Sequence, residues 1–397
     1  MNKLSRFAMG LVGDDMAVAD AASGQITLLN PSASIVWLTL LERDCAETEL
    51  LTLFDGAVAH PQGEAILSIL RNFEDLDWAY RTSDGAWQVK EACASSVEWT
   101  QIACGAGQTV GLLWNRQVRV SDAAILLQVA SETGADSNGD FARVSSFLGG
   151  LPLDCGAPPN NRLSLVITAD GIEVQDAANR AIFKDVQTAS GLFLRLAIRS
   201  LHPDAKPQTT LHAGAVCGPK GALLFPAISG SGKTTLTAYL SAKGWRYGGD
   251  DVVGIGRFGA SNDIHILPFP TALGLKDGSL DILRSHYPEI AYATPVAYGS
   301  KSVRFVACNH ETDLIPTDWR KIRALVFPTY DKGAGLHLEA ISQADALRVI
   351  LESGWGDGLE FDPAEFDLLL AAVNNLPAYS LKYSSLEAAA SALERLV

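Results

Sequence analysis

The run from Phe225 to Thr235 constrains this chain more strongly than any other feature, because it reads Phe-Pro-Ala-Ile-Ser-Gly-Ser-Gly-Lys-Thr-Thr. The apolar run Ala222–Phe225 leads into it, and the helix-like run Leu236–Leu240 follows it. A strand, a glycine-rich loop and a helix in this order form the context that a phosphate-binding P-loop requires. The sequence therefore predicts a nucleotide-binding α/β core.

The loop residues have predictable roles in holding a triphosphate. Gly230 and Gly232 allow backbone turns that aim successive N–H groups at phosphate oxygens. Lys233 can reach the β- and γ-phosphates, and the Thr234 hydroxyl can bind Mg²⁺. Ala227 stands where the common pattern has glycine, so its φ must stay negative. The predicted nucleotide-binding residues are Ser229, Gly230, Ser231, Gly232, Lys233, Thr234 and Thr235.

The composition argues against several classes of partner. The net charge of −14 disfavours a nucleic-acid-binding surface, which would have to be basic. Apolar residues make up 48% and charged residues 19% of the chain, which indicates a globular protein, and no apolar run has the length of a membrane span. The six cysteines show no Cys-x-x-Cys spacing, which fits a reducing compartment. We therefore expect a cytoplasmic protein of two or three domains, with neither nucleic-acid nor membrane partners.

Residues 1–95 have the pattern of a small, separate α+β domain. The segments Met16–Asp20 and Gln25–Leu29 read as short strands, and Asn30-Pro31-Ser32 opens a helix with Asn30 or Ser32 as its cap. Another amphipathic helix is predicted over Glu64–Trp78, where the apolar residues follow one stripe. The predicted apolar face of the earlier helix consists of Ile35, Val36, Leu38, Leu40 and Leu41.

This N-terminal pattern resembles PqqD-like domains, which recognise peptides in ribosomal-peptide modification systems. The similarity lies in the strand end Leu28-Leu29-Asn30-Pro31-Ser32-Ala33 and in the helix start Ile35-Val36-Trp37. The resemblance implies that a precursor or leader peptide adds as a strand beside Gln25–Leu29 and packs against the helix Glu64–Trp78. A nucleic-acid-binding winged helix and a purely structural cap are the alternatives. Six basic against fourteen acidic residues in 1–95 argue against the first of these.

Residues 96–205 carry weaker signals, and we expect them to cover one side of the nucleotide core. Neither repeats nor low-complexity tracts are visible in this region. Strands are predicted at Val110–Trp114, Leu163–Ile167 and Gly171–Val174, and helices are predicted at Val120–Ser131 and Ala189–Ser200.

Further candidate residues flank the phosphate-binding motif. Leu211–Val216 reads as a strand that contains His212, and a later strand is predicted to include Asp250 and Asp251. Strand, loop, helix and strand at this spacing form a βαβ unit, which places two acidic residues near the phosphates. Because adjacent residues on a strand point to opposite faces, Asp250 and Asp251 need not share a role.

The region Leu211–Ile255 resembles the catalytic domain of HPr kinase/phosphorylase and its relatives, including kinases of lasso-peptide gene clusters. His212, the Ser229–Thr235 loop, Gly244 and the Asp250-Asp251-x-Val253 segment carry the similarity. The resemblance implies an ATP- and Mg²⁺-dependent kinase. In it, Asp250 acts as the base on the attacking hydroxyl, and Asp251 and His212 form a supporting pair. A metal site at Thr234 and Asp251 and a homo-oligomeric assembly are implied as well.

The resemblance ends after the acidic pair. The bifunctional family has a glycine-rich signature with an acidic metal ligand there, whereas this chain has Leu267–Lys276 without an equivalent glutamate. Dephosphorylation, and HPr as the substrate, are therefore not implied. Lys276 and Arg304 are candidate cations for a substrate phosphate or acidic group.

Together these patterns predict an α/β fold with a P-loop, HPr-kinase-like core at 96–397, whose nucleotide-binding part covers about 205–340. A small winged-helix-like, PqqD-like α+β domain is predicted at 1–95. The expected function is phosphorylation of a Ser or Thr hydroxyl on a ribosomally made peptide or small protein held by the N-terminal domain. A nucleotide-gated peptide chaperone without transfer chemistry and a small-molecule kinase are the alternatives, and the donor is left open among ATP, GTP and pyrophosphate.

Overall fold

The computed structural model describes residues 6–21, 23–52, 61–91, 100–101, 110–120, 123–132, 134–136, 139–154, 156, 159, 161–298, 301–308, 315–354 and 362–397. The chain divides into two compact units. Unit 1 comprises 1–96 together with 360–370, and unit 2 comprises 97–359 together with 371–397. Both units combine helices with sheets, so the fold is mixed α/β, as predicted. The functions assigned to the two parts of the chain stay predictions.

Within residues 6–91, unit 1 contains two small antiparallel sheets and three helices. Its elements are β1 (Phe7–Val12), β2 (Asp15–Asp20), β3 (Gln25–Leu29), α1 (Pro31–Glu42), β4 (Cys45–Ala46), α2 (Glu47–Thr52), α3 (Pro61–Asp75), β5 (Ala79–Arg81) and β6 (Ala86–Val89). The strand orders are β1-β2-β3 and β4-β6-β5. The strand β3 is therefore at an edge of its sheet.

Aromatic packing forms the core of unit 1. The ring of Trp37 lies 4.9 Å from those of Phe7 and Trp78 and 5.1 Å from that of Phe73. All four side chains are buried, and aromatic pairs of this kind add ~0.5–1.5 kcal/mol each beyond the burial of their surface. This cluster attaches α1 and α3 to the first sheet.

Helix α1 begins where the sequence indicates. The Asn30 side chain caps it by accepting a hydrogen bond from a first-turn N–H at 2.9 Å, and Pro31 occupies the first turn. Two residues of the predicted apolar face, Ile35 and Leu38, are 46% and 40% exposed. That part of the prediction is wrong, because both residues lie away from the buried stripe formed by Ala33, Val36, Trp37 and Leu40.

Helix α3 differs from its predicted bounds. It spans Pro61–Asp75 rather than Glu64–Trp78. Asp77 adopts a φ of 60°, and the Trp78 N–H donates to the Phe73 carbonyl at 2.8 Å. This left-handed turn ends the helix while keeping the Trp78 side chain buried.

The first part of unit 2 is a six-stranded sheet with the order β7-β12-β11-β10-β9-β8. A hydrophobic core joins side chains of this sheet to two helices, α4 and α5. The elements are β7 (Thr100–Gln101), β8 (Val110–Val120), β9 (Ala123–Glu132), α4 (Asp140–Leu148), β10 (Arg162–Ile167), β11 (Ile172–Gln175), β12 (Asn179–Phe183) and α5 (Val186–Leu201).

The predicted helix over Val120–Ser131 is wrong, since most of this segment is the strand β9. Ile125, Leu127 and Val129 are buried at alternate positions, which is the period of a strand and not of a helix. The strand pairs antiparallel with β8 and parallel with β10. Pairing on both sides outweighs the helix propensity of its Ala and Leu residues.

The second part of unit 2 contains a six-stranded mixed sheet, with the order β16-β14-β15-β22-β24-β23, and two three-stranded sheets, β13-β17-β18 and β19-β21-β20. Short 3₁₀ helices span Pro288–Ala291 and Thr317–Arg320. The other elements are β13 (Ala205–Leu211), β14 (Ala213–Gly218), β15 (Gly221–Pro226), α6 (Lys233–Ala242), β16 (Arg246–Gly249), β17 (Val253–Phe258), β18 (His265–Leu267), β19 (Leu273–Lys276), α7 (Asp277–Leu283), β20 (Pro295–Tyr298), β21 (Lys301–Val306), β22 (Ile322–Tyr330), β23 (His337–Ala340), α8 (Gln343–Glu352), β24 (Ala378–Tyr383) and α10 (Leu386–Leu393). Helix α9 (Pro363–Asn375) begins among the residues of unit 1 and ends among those of unit 2.

The mixed sheet contains the predicted βαβ unit. Both β15 and β16 pair antiparallel with β14, so they run parallel to each other on either side of it, and α6 connects them. The strands β22 and β24 extend the sheet in parallel from β15. None of the helices in the described ranges is long and apolar enough to cross a membrane.

Candidate active site

The phosphate loop, defined here as residues 227–232, connects the buried strand β15 to the first turn of α6. Gly230 and Gly232 adopt φ angles of 94° and 92°, in the left-handed region that glycine occupies without a steric cost. Ala227 is not among the residues with positive φ, as the sequence required. The loop therefore lies at a strand-to-helix junction, where the backbone N–H groups and the start of α6 favour an anion.

Two tyrosines at the ends of neighbouring strands hold the phosphate loop in place. The Tyr330 N–H donates to the Ser231 carbonyl at 2.8 Å, and the Tyr383 hydroxyl donates to the Gly232 carbonyl at 3.4 Å. A Cβ atom on Gly232 would lie 2.8 Å from the Tyr383 hydroxyl and 2.9 Å from the Tyr330 Cβ. Glycine is thus required at 232 both for its backbone angle and for space.

Beside this loop, the chain crosses twice between two sheets. It passes from β13 into β14 at His212, and from β16 into β17 through the turn that contains Asp250 and Asp251. Because β13 pairs with β17 and β14 pairs with β16, the two crossings lie side by side. We refer to His212, Asp250 and Asp251 as the sheet junction. The single strand predicted over Leu211–Val216 is wrong in this respect, since it consists of two strands in different sheets.

Three polar side chains form a chain of contacts from the phosphate loop to the sheet junction. The Lys233 Nζ lies 2.8 Å from the His212 Nε2, and the His212 Nδ1 lies 3.3 Å from the Asp251 Oδ1. The same Asp251 oxygen is 3.8 Å from the Lys233 Nζ. An ammonium can only donate, so the His212 Nε2 accepts and its Nδ1 carries the proton that faces Asp251.

The two adjacent aspartates lie in different environments. Asp250 is 2% exposed, and its Oδ2 accepts a hydrogen bond from the Thr234 hydroxyl at 2.7 Å. Asp251 has a φ of 71° and a side chain that is 54% exposed. The prediction that both aspartates lie on a strand is wrong, because β16 ends at Gly249 and β17 begins at Val253. The left-handed backbone at Asp251, and not the alternation of a strand, separates the two carboxylates.

Burial sets the acidity of Asp250. Desolvation raises the pKa of its carboxyl to about 6, with Lys233 acting in the opposite direction and Asp251 adding to the rise. The Oδ1 atom of Asp250 is buried and has no hydrogen-bond partner. Unsatisfied buried oxygens are unusual in folded proteins, so this oxygen is available for a further ligand.

A glycine in β14, which the sequence analysis did not single out, makes room for this arrangement. A Cβ atom on Gly214 would lie 2.3 Å from the Thr237 Oγ1 and 3.1 Å from the Asp250 Oδ1. Thr237 itself donates to the Lys233 carbonyl at 3.0 Å. The glycine thus allows β14 to approach the first turn of α6 closely.

The donor set around Thr234 fits a magnesium ion. The Thr234 hydroxyl and the Asp250 carboxylate are adjacent oxygen donors, one of them with an unsatisfied atom. In phosphate-transfer sites Mg²⁺ takes one or two protein ligands and completes its coordination with phosphate oxygens and water. No cluster of three or more His, Cys, Asp or Glu residues that could hold a metal occurs in the described part of the chain. A magnesium site here would therefore depend on the nucleotide for most of its ligands.

A cavity of about 690 Å³ opens over the phosphate loop. His212, Lys233 and Asp251 line it, and so does Lys276, whose Nζ donates to the Ser229 Oγ at 2.9 Å. Arg304 is not among its lining residues; its guanidinium donates to the Ala293 carbonyl. The walls that the sequence analysis missed include Tyr239, Ile282, His286, Ser385, Leu386 and Glu387.

Comparison with known proteins gives little independent information about this site. No protein-family model matches the chain, and no curated protein matches it. Among solved structures, the chain is similar to the HPr(Ser) kinase/phosphatase from Coxiella burnetii, with 11% sequence identity and a TM-score of 0.22 over 47% of this chain and 92% of that chain. A similarity at this level carries no argument about chemistry, so the assignment of function rests on the geometry of the cavity.

Proposed function

We propose that unit 2 is a kinase that transfers a phosphoryl group from a nucleoside triphosphate to a hydroxyl group. The observation that carries the proposal is the contact chain Lys233–His212–Asp251, which links the phosphate loop to an exposed carboxylate in one cavity. Phosphoryl transfer depends on positioning and on neutralising phosphate charge more than on covalent chemistry. A phosphate cradle beside a carboxylate that solvent can reach meets both needs.

The phosphate loop and Lys233 hold the triphosphate. The backbone N–H groups of the loop and the N-terminus of α6 favour negative charge at this place. Lys233 is 5% exposed, and charge-assisted contacts in such a desolvated place are stronger than neutral hydrogen bonds. Because Lys233 also approaches Asp251, the transferred phosphate would lie next to the sheet junction.

Thr234 and Asp250 would hold a magnesium ion. Such an ion would screen the charge of the β- and γ-phosphates. Asp250 would contribute through its ionised form, which predominates above pH 6 given a pKa of about 6. The buried position of Asp250 against Thr234 favours this role over that of base, which the family resemblance had implied.

Asp251 is better placed than Asp250 to act on the acceptor. Its carboxylate is exposed to the cavity, so it can accept the proton of an incoming hydroxyl while the hydroxyl oxygen attacks the γ-phosphorus. The bond from that phosphorus to the β–γ bridging oxygen breaks, and the nucleoside diphosphate leaves. His212 is a positioning residue in this scheme, since its Nδ1–H holds the Asp251 carboxylate towards the phosphate.

For the acceptor we propose a Ser or Thr hydroxyl of a peptide bound by unit 1. The support is the position of β3 (Gln25–Leu29) at the edge of its sheet, because an edge strand can pair with an added peptide strand. Holding the acceptor on the same chain as the kinase would raise its effective concentration at the active site.

Transfer can be tested directly on the full chain. We expect incubation with ATP, Mg²⁺ and Ser/Thr-containing peptides to add one phosphate group to a peptide, detected by mass spectrometry, and to release ADP. Asp251→Asn should bind ATP but transfer poorly. A nucleotide-gated chaperone would retain its peptide-dependent behaviour in this variant, and the absence of transfer to every peptide and small-molecule hydroxyl tested would reject the kinase proposal.

A further inference from the structure

The cavity over the phosphate loop continues along α6, away from the sheet junction. Lys233, in the first turn of α6, contacts His212 and Asp251. Tyr239 lies six residues further along the same helix and also lines the cavity, which corresponds to about 9 Å along the helix axis. The cavity therefore has a second end, which the transfer scheme leaves unused.

Tyr239 connects the two walls of this second end. Its ring meets the ring of His286 edge to face, with centroids 5.6 Å apart. The Glu387 carboxylate accepts a hydrogen bond from the Ser385 hydroxyl at 3.0 Å. The backbone N–H of Glu387 and the hydroxyls of Ser385 and Tyr239 lower the pKa of this carboxyl group. The segment after α7 and the start of α10 are thereby held on either side of one buried side chain.

The walls combine apolar surface with a hydrogen-bond acceptor. Ile282 is 45% exposed although it is a large hydrophobic residue, and it lines the cavity with His286 and Leu386. An ionised carboxylate can accept about four hydrogen bonds, so Glu387 keeps acceptor capacity beside its bond from the Ser385 hydroxyl. Small-molecule sites typically pair apolar walls with a few such fixed polar groups.

The direction of a bound nucleotide follows from the phosphate loop. In the proposed function, the γ-phosphate of the nucleotide lies at the sheet junction. The nucleoside part must then extend in the other direction, past Thr235 and towards Tyr239. A nucleoside has flat apolar faces and carries hydroxyl and amino donors. Those are the groups that the second end of the cavity can receive.

We propose that Ile282, His286, Leu386 and Glu387 form the nucleoside-binding subsite, in which Glu387 accepts hydrogen bonds from the ribose hydroxyls or from an amino group of the base. The inference rests on the proposed kinase function, and it assigns a binding site to the nucleoside of the donor, which the phosphate loop does not contact. A chain that binds only phosphates would accept inorganic tripolyphosphate as well as a nucleotide, whereas this subsite gives the nucleotide an advantage.

The test compares the dissociation constants of ATP and inorganic tripolyphosphate by isothermal titration calorimetry. We expect wild-type protein to bind ATP at least about tenfold more tightly than tripolyphosphate, which corresponds to about one additional hydrogen-bonded contact with a charged group. His286→Ala and Glu387→Ala should each lower this ratio about five- to tenfold. Glu394→Ala, at the far end of α10 and exposed, removes the same charge outside the subsite and should leave the ratio unchanged.

The ratio separates the subsite from general effects. Both ligands carry three linked phosphates, so a loss of folded protein affects both alike. Tripolyphosphate has one more ionisable oxygen than ATP, and Glu394→Ala reports how far the loss of a protein carboxylate alone changes the ratio. Equal affinities for the two ligands in wild type, or unchanged ratios in both subsite variants, would overturn the inference while transfer from ATP still supported the kinase. If neither ligand bound the wild-type protein, the kinase proposal would fail first.

Two further ligands identify the groups that Glu387 accepts from. If these are ribose hydroxyls, 2′-deoxy-ATP should bind wild type more weakly than ATP does but should bind Glu387→Ala equally well. If they belong to the base, Glu387→Ala should alter the preference between GTP and ATP. A Glu387→Ala protein that showed neither change would contradict the assigned role of this carboxylate.

Discussion

The phosphate loop and the sheet junction contribute to one cavity, yet they are built in different ways. The loop is continuous in sequence, and its shape follows from Gly230, Gly232 and the strand and helix at its ends. The junction assembles His212 with Asp250 and Asp251 only because two strand pairs change sheets at neighbouring places. A local motif thus forms the phosphate loop, whereas tertiary structure brings the carboxylates beside it.

This difference suggests a division of function between the two regions. Changes in the loop should impair nucleotide binding together with transfer, because every step depends on held phosphates. Changes at His212 or Asp251 should impair transfer while leaving binding largely intact, because we propose that these two residues of the junction act on the acceptor side. Variants at Lys233 and Asp251 should separate the effect on nucleotide binding from the effect on transfer.

The largest effect is expected from Lys233→Ala. Loss of its ammonium removes a buried charge-assisted contact to phosphate and the stabilisation of charge that develops during transfer. Transfer should fall at least about a hundredfold, and ATP binding should weaken in the same variant. Peptide affinity, measured by fluorescence anisotropy, should stay unchanged. Transfer near the wild-type rate would show that the loop is not the phosphate site.

Asp251→Asn should be the clearest junction variant. It removes the proposed base without removing a phosphate contact, so we expect kcat to fall about 10²- to 10⁴-fold with an ATP dissociation constant within about twofold of wild type. Asp250→Asn serves as the matched comparison, and it should chiefly raise the Mg²⁺ concentration needed for activity. If Asp250→Asn abolished turnover at every Mg²⁺ concentration while Asp251→Asn stayed active, the roles implied by the family resemblance would be restored.

The contrast between a continuous motif and contacts made by tertiary structure also explains which parts of the site could be predicted from the sequence. The positions of Lys233 and Thr234 in the first turn of a helix could be predicted, because a strand, a glycine-rich loop and a helix are local patterns. The contact of Asp250 with Thr234 could not, because it depends on where β16 ends in space. The contacts of Tyr239 with His286 and Glu387 join three separate segments, and no periodicity in the sequence indicates them.

A sequence pattern gave a wrong prediction where it was compatible with both a helix and a strand. The run from Ala123 to Glu132 is short, apolar and rich in Ala and Leu, so a helix and a buried strand were both compatible with it. Its neighbours β8 and β10 decided in favour of a strand. In α1, by contrast, the sequence left the cap open between Asn30 and Ser32, and the structure has it at Asn30, although the buried face was misjudged at Ile35 and Leu38.

Gly232→Ala should test the rigidity of the loop. The substituted residue would keep a left-handed φ and would meet Tyr330 and Tyr383 at distances below 3 Å. Gly230→Ala has a similar φ but nothing within 4 Å of its new Cβ, so it isolates the backbone cost of about 1–2 kcal/mol. In urea denaturation, Gly232→Ala should be the less stable by at least about 1 kcal/mol. Equal stabilities would mean that the two tyrosines do not confine the loop.

The junction should respond to pH through Asp250. Its carboxyl has a folded-state pKa of about 6 against 3.8 for the ordinary group, so the folded protein holds its proton to higher pH than the unfolded chain does. Below about pH 4 both states are protonated, and as the pH rises towards 6 the unfolded state gains by ionising first. Wild type should therefore lose stability relative to Asp250→Asn over this window, by at most roughly 3 kcal/mol, and the difference should be level above about pH 7. A difference in urea midpoints that did not vary with pH would show that Asp250 is not desolvated.

The smallest effect is expected from Lys276→Ala. This variant tests whether Lys276 acts with the phosphate loop or with the sheet junction. Its ammonium reaches the Ser229 hydroxyl of the loop motif from the end of β19. A partly exposed contact of this kind contributes up to about 1 kcal/mol. We therefore expect either the dissociation constant of ATP or the KM for the acceptor to change about two- to fivefold. If the charge acts on bound phosphate, the dissociation constant of ATP should rise in Lys276→Ala, most at low salt, whereas Ser229→Ala should have little effect. Equal losses in the two single variants, with no further loss in the double variant, would instead assign the effect to the hydrogen bond between them. A change confined to the acceptor's KM would place Lys276 with the sheet junction, on the transfer side of the cavity.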